Sequence, residues 1–117
     1  MKWGISYYRD RHHQPVREYL DALQPGPKAR ILRNLQLLAE FGPDLGWPYI
    51  SKVRGKLWEL RTTYGGKQYR MLFALIPASR IIVLHGFQKK TQKLPDREIA
   101  LAEKRLLAFL QDEQGGS

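Results

Sequence analysis

Between residues 57 and 87 the hydrophobic period of this chain is two; on either side it is close to 3.6. That switch constrains the fold more than any other feature, because a helical period does not settle into a sheet, nor a strand period into a helix. Leu57-Trp58-Glu59-Leu60-Arg61-Thr62-Thr63 reads as a strand, and residues 68–75 as its return. Tyr64-Gly65-Gly66-Lys67 between them is a hairpin turn whose glycines accept positive φ. Pro77-Ala78-Ser79 turns the chain again. Ile81-Ile82-Val83-Leu84-His85-Gly86-Phe87 is then a third strand, the most apolar and so expected at the centre of the sheet.

The flanks supply helices. Trp3, Ile5 and Tyr7 alternate with Lys2, Gly4 and Ser6, which predicts a short first strand. Pro15 opens a helix whose face is Val16, Tyr19, Leu20 and Leu23. Pro25-Gly26-Pro27 ends it, and a second helix over about residues 27–41 carries Ile31, Leu35, Leu38 and Phe41 as its stripe. Residues 42–51 read as a loop. A last helix opens at Pro95 with Asp96 and Glu98 in its positive first turn and buries Ile99, Ala102, Leu106 and Leu110. The predicted order is β-α-α-β-β-β-α: an α+β domain over residues 1–113, with an antiparallel meander sheet packed on helices and residues 114–117 as a disordered tail.

Composition removes several chemistries. With no cysteine, thiol catalysis, thiolate metal sites and disulfides are excluded, in keeping with a cytoplasmic protein. His12-His13 has no ligand partners at zinc spacing, and Gly65-Gly66-Lys67 lacks the helix of a phosphate-binding loop, so neither metal nor cofactor is expected. No apolar run approaches the ~20 residues of a membrane span. The first residues also lack the apolar stretch of a signal peptide.

What remains is charge, and it is concentrated. Residues 52–93 hold ten Lys/Arg against one acid, Glu59, while the whole chain carries +9. One reading is a solvated surface; the other is a polyanionic partner whose phosphates shed counterions on binding. Strand parity sorts these cations. Leu57, Glu59 and Arg61 share a face, as do Gln68 and Arg70, and as do His85, Phe87 and Lys89. If Arg61 and Arg70 face the same way, they form a guanidinium pair with Glu59 nearby. That arrangement is either a cross-strand ion pair or a phosphate clamp. Phe87 is either a base-stacking platform or core. Trp58 and Tyr69 are expected in the core.

The ordered series Gly55-Lys56-Leu57-Trp58-Glu59-Leu60-Arg61, Tyr69-Arg70-Met71-Leu72-Phe73, Leu84-His85-Gly86-Phe87-Gln88-Lys89-Lys90-Thr91, Pro95, Glu98-Ile99 and Ala102 resembles the phage-related HigB-like branch of the RelE/ParE toxin superfamily. The resemblance covers about residues 2–110. It departs at Leu94, where these toxins usually place Ser or Thr before the helix-opening proline. The likeness implies a RelE-like microbial RNase fold, a cognate antitoxin (a helix-turn-helix protein) and metal-independent endoribonuclease cleavage of mRNA on the ribosome, which inhibits translation. It implies that Arg61 and Arg70 stabilise the phosphate, and that Lys52, Arg54 and Lys56 grip RNA. Lys89, Lys90 and His85 would lie across the cleft, with Glu59 or His85 as base, or else a Lys whose pKa is lowered by its cationic neighbours. Two other functions share this fold: a ParE-like gyrase inhibitor and a nucleic-acid-binding module without cleavage. The Arg61, Arg70 and His85–Lys89 set argues against the first of these.

Overall fold

Residues 2–115 of the 117 are described by a computed structural model. The elements run β1 (Gly4–Tyr7), α1 (Pro15–Asp21), α2 (Pro25–Phe41), a 3-10 turn (Gly42–Leu45), β2 (Ile50–Arg54), β3 (Leu57–Tyr64), β4 (Lys67–Ile76), β5 (Arg80–Lys89) and α3 (Asp96–Gly115). They build one five-stranded sheet in the order β1-β5-β4-β3-β2. Strands β2 to β5 are an antiparallel meander, and β1 joins β5 in parallel. The α+β class and the meander are as expected. The sheet is not wholly antiparallel, and it has a strand more than the sequence suggested.

That extra strand is β2, placed where a loop was expected. Its apolar residues, Ile50 and Val53, are three apart rather than two, because a bulge between Lys52 and Arg54 breaks the alternation. Ile50 packs in the core on one side of the sheet and Val53 against the core on the other. The bulge also carries Arg54 round to α3, where its Nε and NH2 donate to Glu103 at 3.0 and 2.8 Å.

Gly65 and Gly66, at φ 59° and 78°, form the two-residue turn that pairs Tyr64 with Lys67. Their freedom to take positive φ fixes the register of the whole hairpin. Gly42 ends α2 at φ 59°, and a β-carbon there would collide with the Trp3 indole, so the stop also seats β1 on the helix.

The sheet has two covered faces. Leu60, Tyr69, Met71, Phe73, Ile81 and Val83 pack on α1 and α2 through Val16, Leu20, Ile31, Leu35 and Leu38. Leu57, Leu72, Ala74, Ile82, Leu84 and Phe87 pack on α3 through Ile99, Ala102 and Leu106. This is why β4 and β5 are apolar on both parities. The middle strand is β4, with β5 its inner neighbour. Two boundaries and one burial differ from expectation. Pro25-Gly26-Pro27 forms the first turn of α2 rather than the link before it. Phe41 is exposed instead of buried. Helix α3 continues through Gln114 and Gly115, so those two are not tail, and residues 116–117 lie outside the described residues. Among the described residues no helix is long and apolar enough to cross a membrane.

Candidate nucleic-acid interface

The Gly65-Gly66 turn sets Arg61 directly opposite Arg70 across β3 and β4, and Arg70 opposite Phe87 on β5. Directly opposed side chains sit with Cβ atoms roughly 5 Å apart, and two like charges so placed repel. Glu59 resolves the repulsion. Its Oε2 accepts from Arg61 NH1 at 3.3 Å and from Ser51 Oγ at 2.5 Å. Its Oε1 lies 3.1 Å from Arg70 Nε, an ion contact made off the hydrogen-bonding direction. Arg70 is 2% exposed. Its NH1 donates to Tyr69 O at 3.0 Å and to Gln68 Oε1 at 3.4 Å. Burial and then the neighbouring Arg61 lower its pKa, Glu59 opposes both, and a guanidinium stays charged throughout.

Above this floor is a groove of about 690 Å³ at the hairpin end of the sheet. Arg61, Lys67, Gln68, Arg70, Lys89 and Lys90 line it together with Gly66, Gln88, Thr91 and Gln92. None of these is a carboxylate, and none comes from α3. The helix covers the sheet up to Phe87 and stops short of Lys89. Lys89 Nζ donates to Gln92 O at 2.6 Å, which ties the strand end to the loop before α3.

The predicted residues therefore separate. Arg61, Arg70, Lys89 and Lys90 meet at the groove. Glu59 sits beneath it with both oxygens engaged, which suits a residue that positions the two arginines and not a free base. His85 Nε2 is 2.7 Å from Glu98 Oε1, Arg105 NH1 is 3.4 Å from its Nδ1, and its ring stacks on Phe87 with centroids 5.2 Å apart. His85 thus faces α3 and does not line the groove. Phe87 is buried under α3 and offers no face to a base. Lys52 lies over the Trp58 ring at 5.1 Å on the α1–α2 side of the sheet, and Arg54 is held by Glu103. Lys56 is at the β2–β3 turn, five residues from Arg61 and so roughly 16 Å along the strand. None of these three lines the groove.

Sequence reading missed Gln68 and Lys67. The parity of Gln68 with Arg70 was the available signal for the first, and the hairpin tip for the second. Among the described residues no cluster of three or more His, Asp or Glu could hold a metal ion.

The molecule is thus a small α+β domain with a basic groove, floored by a paired arginine, on a five-stranded sheet between a helical hairpin and a C-terminal helix. Residues 18–107 match the family model of phage-derived Gp49-like proteins. Over 107 residues the chain is 33% identical to the candidate toxin HigB3 of Mycobacterium tuberculosis, covering 86% of this chain and 92% of that protein. The chain belongs to the Gp49-like family, as a HigB-like type II toxin of the RelE/ParE group.

Proposed function

We propose that this toxin is an endoribonuclease that cleaves mRNA on the ribosome without a metal, inhibits translation and is held in check by a cognate antitoxin, a helix-turn-helix protein. The observation that carries this reading is the Arg61–Arg70 pair, set on a rigid hairpin at the floor of a groove whose lining has no carboxylate. A phosphodiester brought there meets two guanidiniums, one of them largely desolvated. Fixed cations of that kind favour the extra negative charge of a five-coordinate phosphorus. In the proposed step the 2′-oxygen bonds to the adjacent phosphorus, the bond from phosphorus to the 5′-oxygen breaks, and a 2′,3′-cyclic phosphate and a 5′-hydroxyl result. Lys67, Lys89 and Lys90 are the groove's candidates to protonate the leaving oxygen. The 2′-hydroxyl proton needs an acceptor. Glu59 and His85 are both engaged elsewhere, which supports a reading in which the ribosome-bound state completes the site.

That same lack of a free base favours a second reading, a toxin that binds RNA in the groove without cutting it. Mapping mRNA 5′ ends in cells that express the wild type or the Arg61→Ala/Arg70→Ala variant separates the two. Codon-phased cuts that vanish in the variant support the nuclease. Growth arrest with intact mRNA removes it, and gyrase-linked DNA breaks in its place would indicate the ParE-like activity.

A further inference from the structure

We propose that the basic groove has a second arm, on the α2 side of Arg61, where a base of single-stranded RNA stacks on Trp47 while Arg33 holds a flanking phosphate. This deepens the nucleic-acid reading above and rests on it. A separate hollow of about 480 Å³ is lined by Arg30, Arg33, Asn34, Tyr49, Arg61 and Gln68 among others, again without a carboxylate. Arg61 and Gln68 line both hollows, so the two form one bent channel with Arg61 at the corner. Seven cations border it in all: Arg30, Arg33, Arg61, Lys67, Arg70, Lys89 and Lys90.

Trp47 lines neither hollow itself but adjoins that corner through Arg61, which lines both. The residue is 69% exposed, the most of any large apolar residue described. The Arg61 guanidinium covers the ring at 4.4 Å from the centroid. The segment is pinned to the sheet and to itself. Arg61 N donates to Tyr49 O at 2.7 Å, and Tyr49 N and Ile50 N both donate to Gly46 O at 3.0 Å. The result is a fixed aromatic surface open to water beside a row of guanidiniums, the pairing by which single strands are bound without base readout. Arg61 alone needs only one face of that ring, which leaves the rest of the indole for a ligand. A protein hot spot also uses Trp and Arg. The channel's lining, which carries cations and no carboxylate, and its continuity with the phosphate site favour RNA.

The test is fluorescence anisotropy at low salt with two labelled 12-mers. One is 2′-O-methyl RNA, which cannot be cleaved, and the other is the same backbone without bases. Trp47→Ala should weaken the base-bearing strand about 5- to 150-fold, the range of one lost base stack, and the abasic strand about 2-fold or less. Trp47→Phe should restore most of the loss. Arg33→Ala, which leaves Arg61 and Trp47 untouched, should weaken both strands alike and reduce the salt slope by about 0.7. Equal weakening of both strands by Trp47→Ala would show that Trp47 serves only to hold Arg61, and overturn the proposal. So would no weakening at all, no binding by the wild type, or a loss confined to the antitoxin complex. A wild type that binds by this pattern but never cuts mRNA keeps the second arm and removes the nuclease, so the two readings fail separately.

Discussion

Lys52, Arg54 and Lys56 cluster on β2 and its turn into β3; Arg61, Lys67, Arg70 and Lys89 cluster at the opposite end of the same sheet. As charge the two groups look alike. Two of the first group are spent on the fold: Arg54 ties β2 to Glu103 of α3, and Lys52 lies on Trp58 and donates to Gly55 O at 3.3 Å, while Lys56 sits exposed at the turn. The second is aimed at an open groove and supported from below by Glu59. A count of cations says that an anion is favoured somewhere, whereas their partners say where.

The sharpest way to break this comparison is catalytic. Arg61→Ala is expected to lower the rate of mRNA cleavage on programmed ribosomes by roughly 10²- to 10³-fold, the usual effect of losing one charge-stabilising donor. Arg54→Ala should stay within about 3-fold of wild type. Equal losses would put the two clusters on one RNA path and refute the division.

Stability gives the next effect. Arg70→Ala leaves Glu59 without its buried partner and should cost about 3 kcal/mol in urea unfolding, the low end for a broken buried pair because Glu59 keeps some contact with water. Removing both charges, as Glu59→Gln/Arg70→Met, should recover most of that. A loss in the double variant as large as in the single would show that the pair itself stabilises the fold.

Salt sharpens the picture further. If Arg61, Lys67, Lys89, Lys90 and the second-arm Arg33 each neutralise one phosphate, the affinity for a single strand should fall about 130-fold between 50 and 200 mM salt. Lys67→Ala/Lys90→Ala should lower the logarithmic slope by about 1.4. The smallest effect belongs to Lys52→Ala/Lys56→Ala, expected to leave both slope and affinity within about 2-fold of wild type. A slope change matching that of the groove variant would return these two lysines to the RNA surface.

Much of the site was legible because a β-hairpin is local. The turn at Gly65-Gly66 pairs Tyr64 with Lys67, and counting back three residues on each strand puts Arg61 against Arg70. The same counting set Glu59 on that face. Strand β2 was not legible, because its bulge shifts the parity that would have betrayed it. His85 and Phe87 share the parity of Lys89, so periodicity treated the three as equals. Trp47 was read only as part of a loop, since nothing near it in sequence announces Arg61.

The sequence by itself determined the strand and helix periods, the hairpin register and hence the arginine pair, all set by contacts between residues close along the chain. The tertiary structure decided which positions on that face stay open. Helix α3 seats Ile99, Ala102 and Leu106 over the sheet and closes His85 and Phe87 beneath it, ending short of Lys89. Where a helix docks depends on the summed packing of two distant apolar surfaces, and no local pattern encodes that sum. The basic segment therefore became a groove only where α3 leaves the hairpin end of the sheet uncovered.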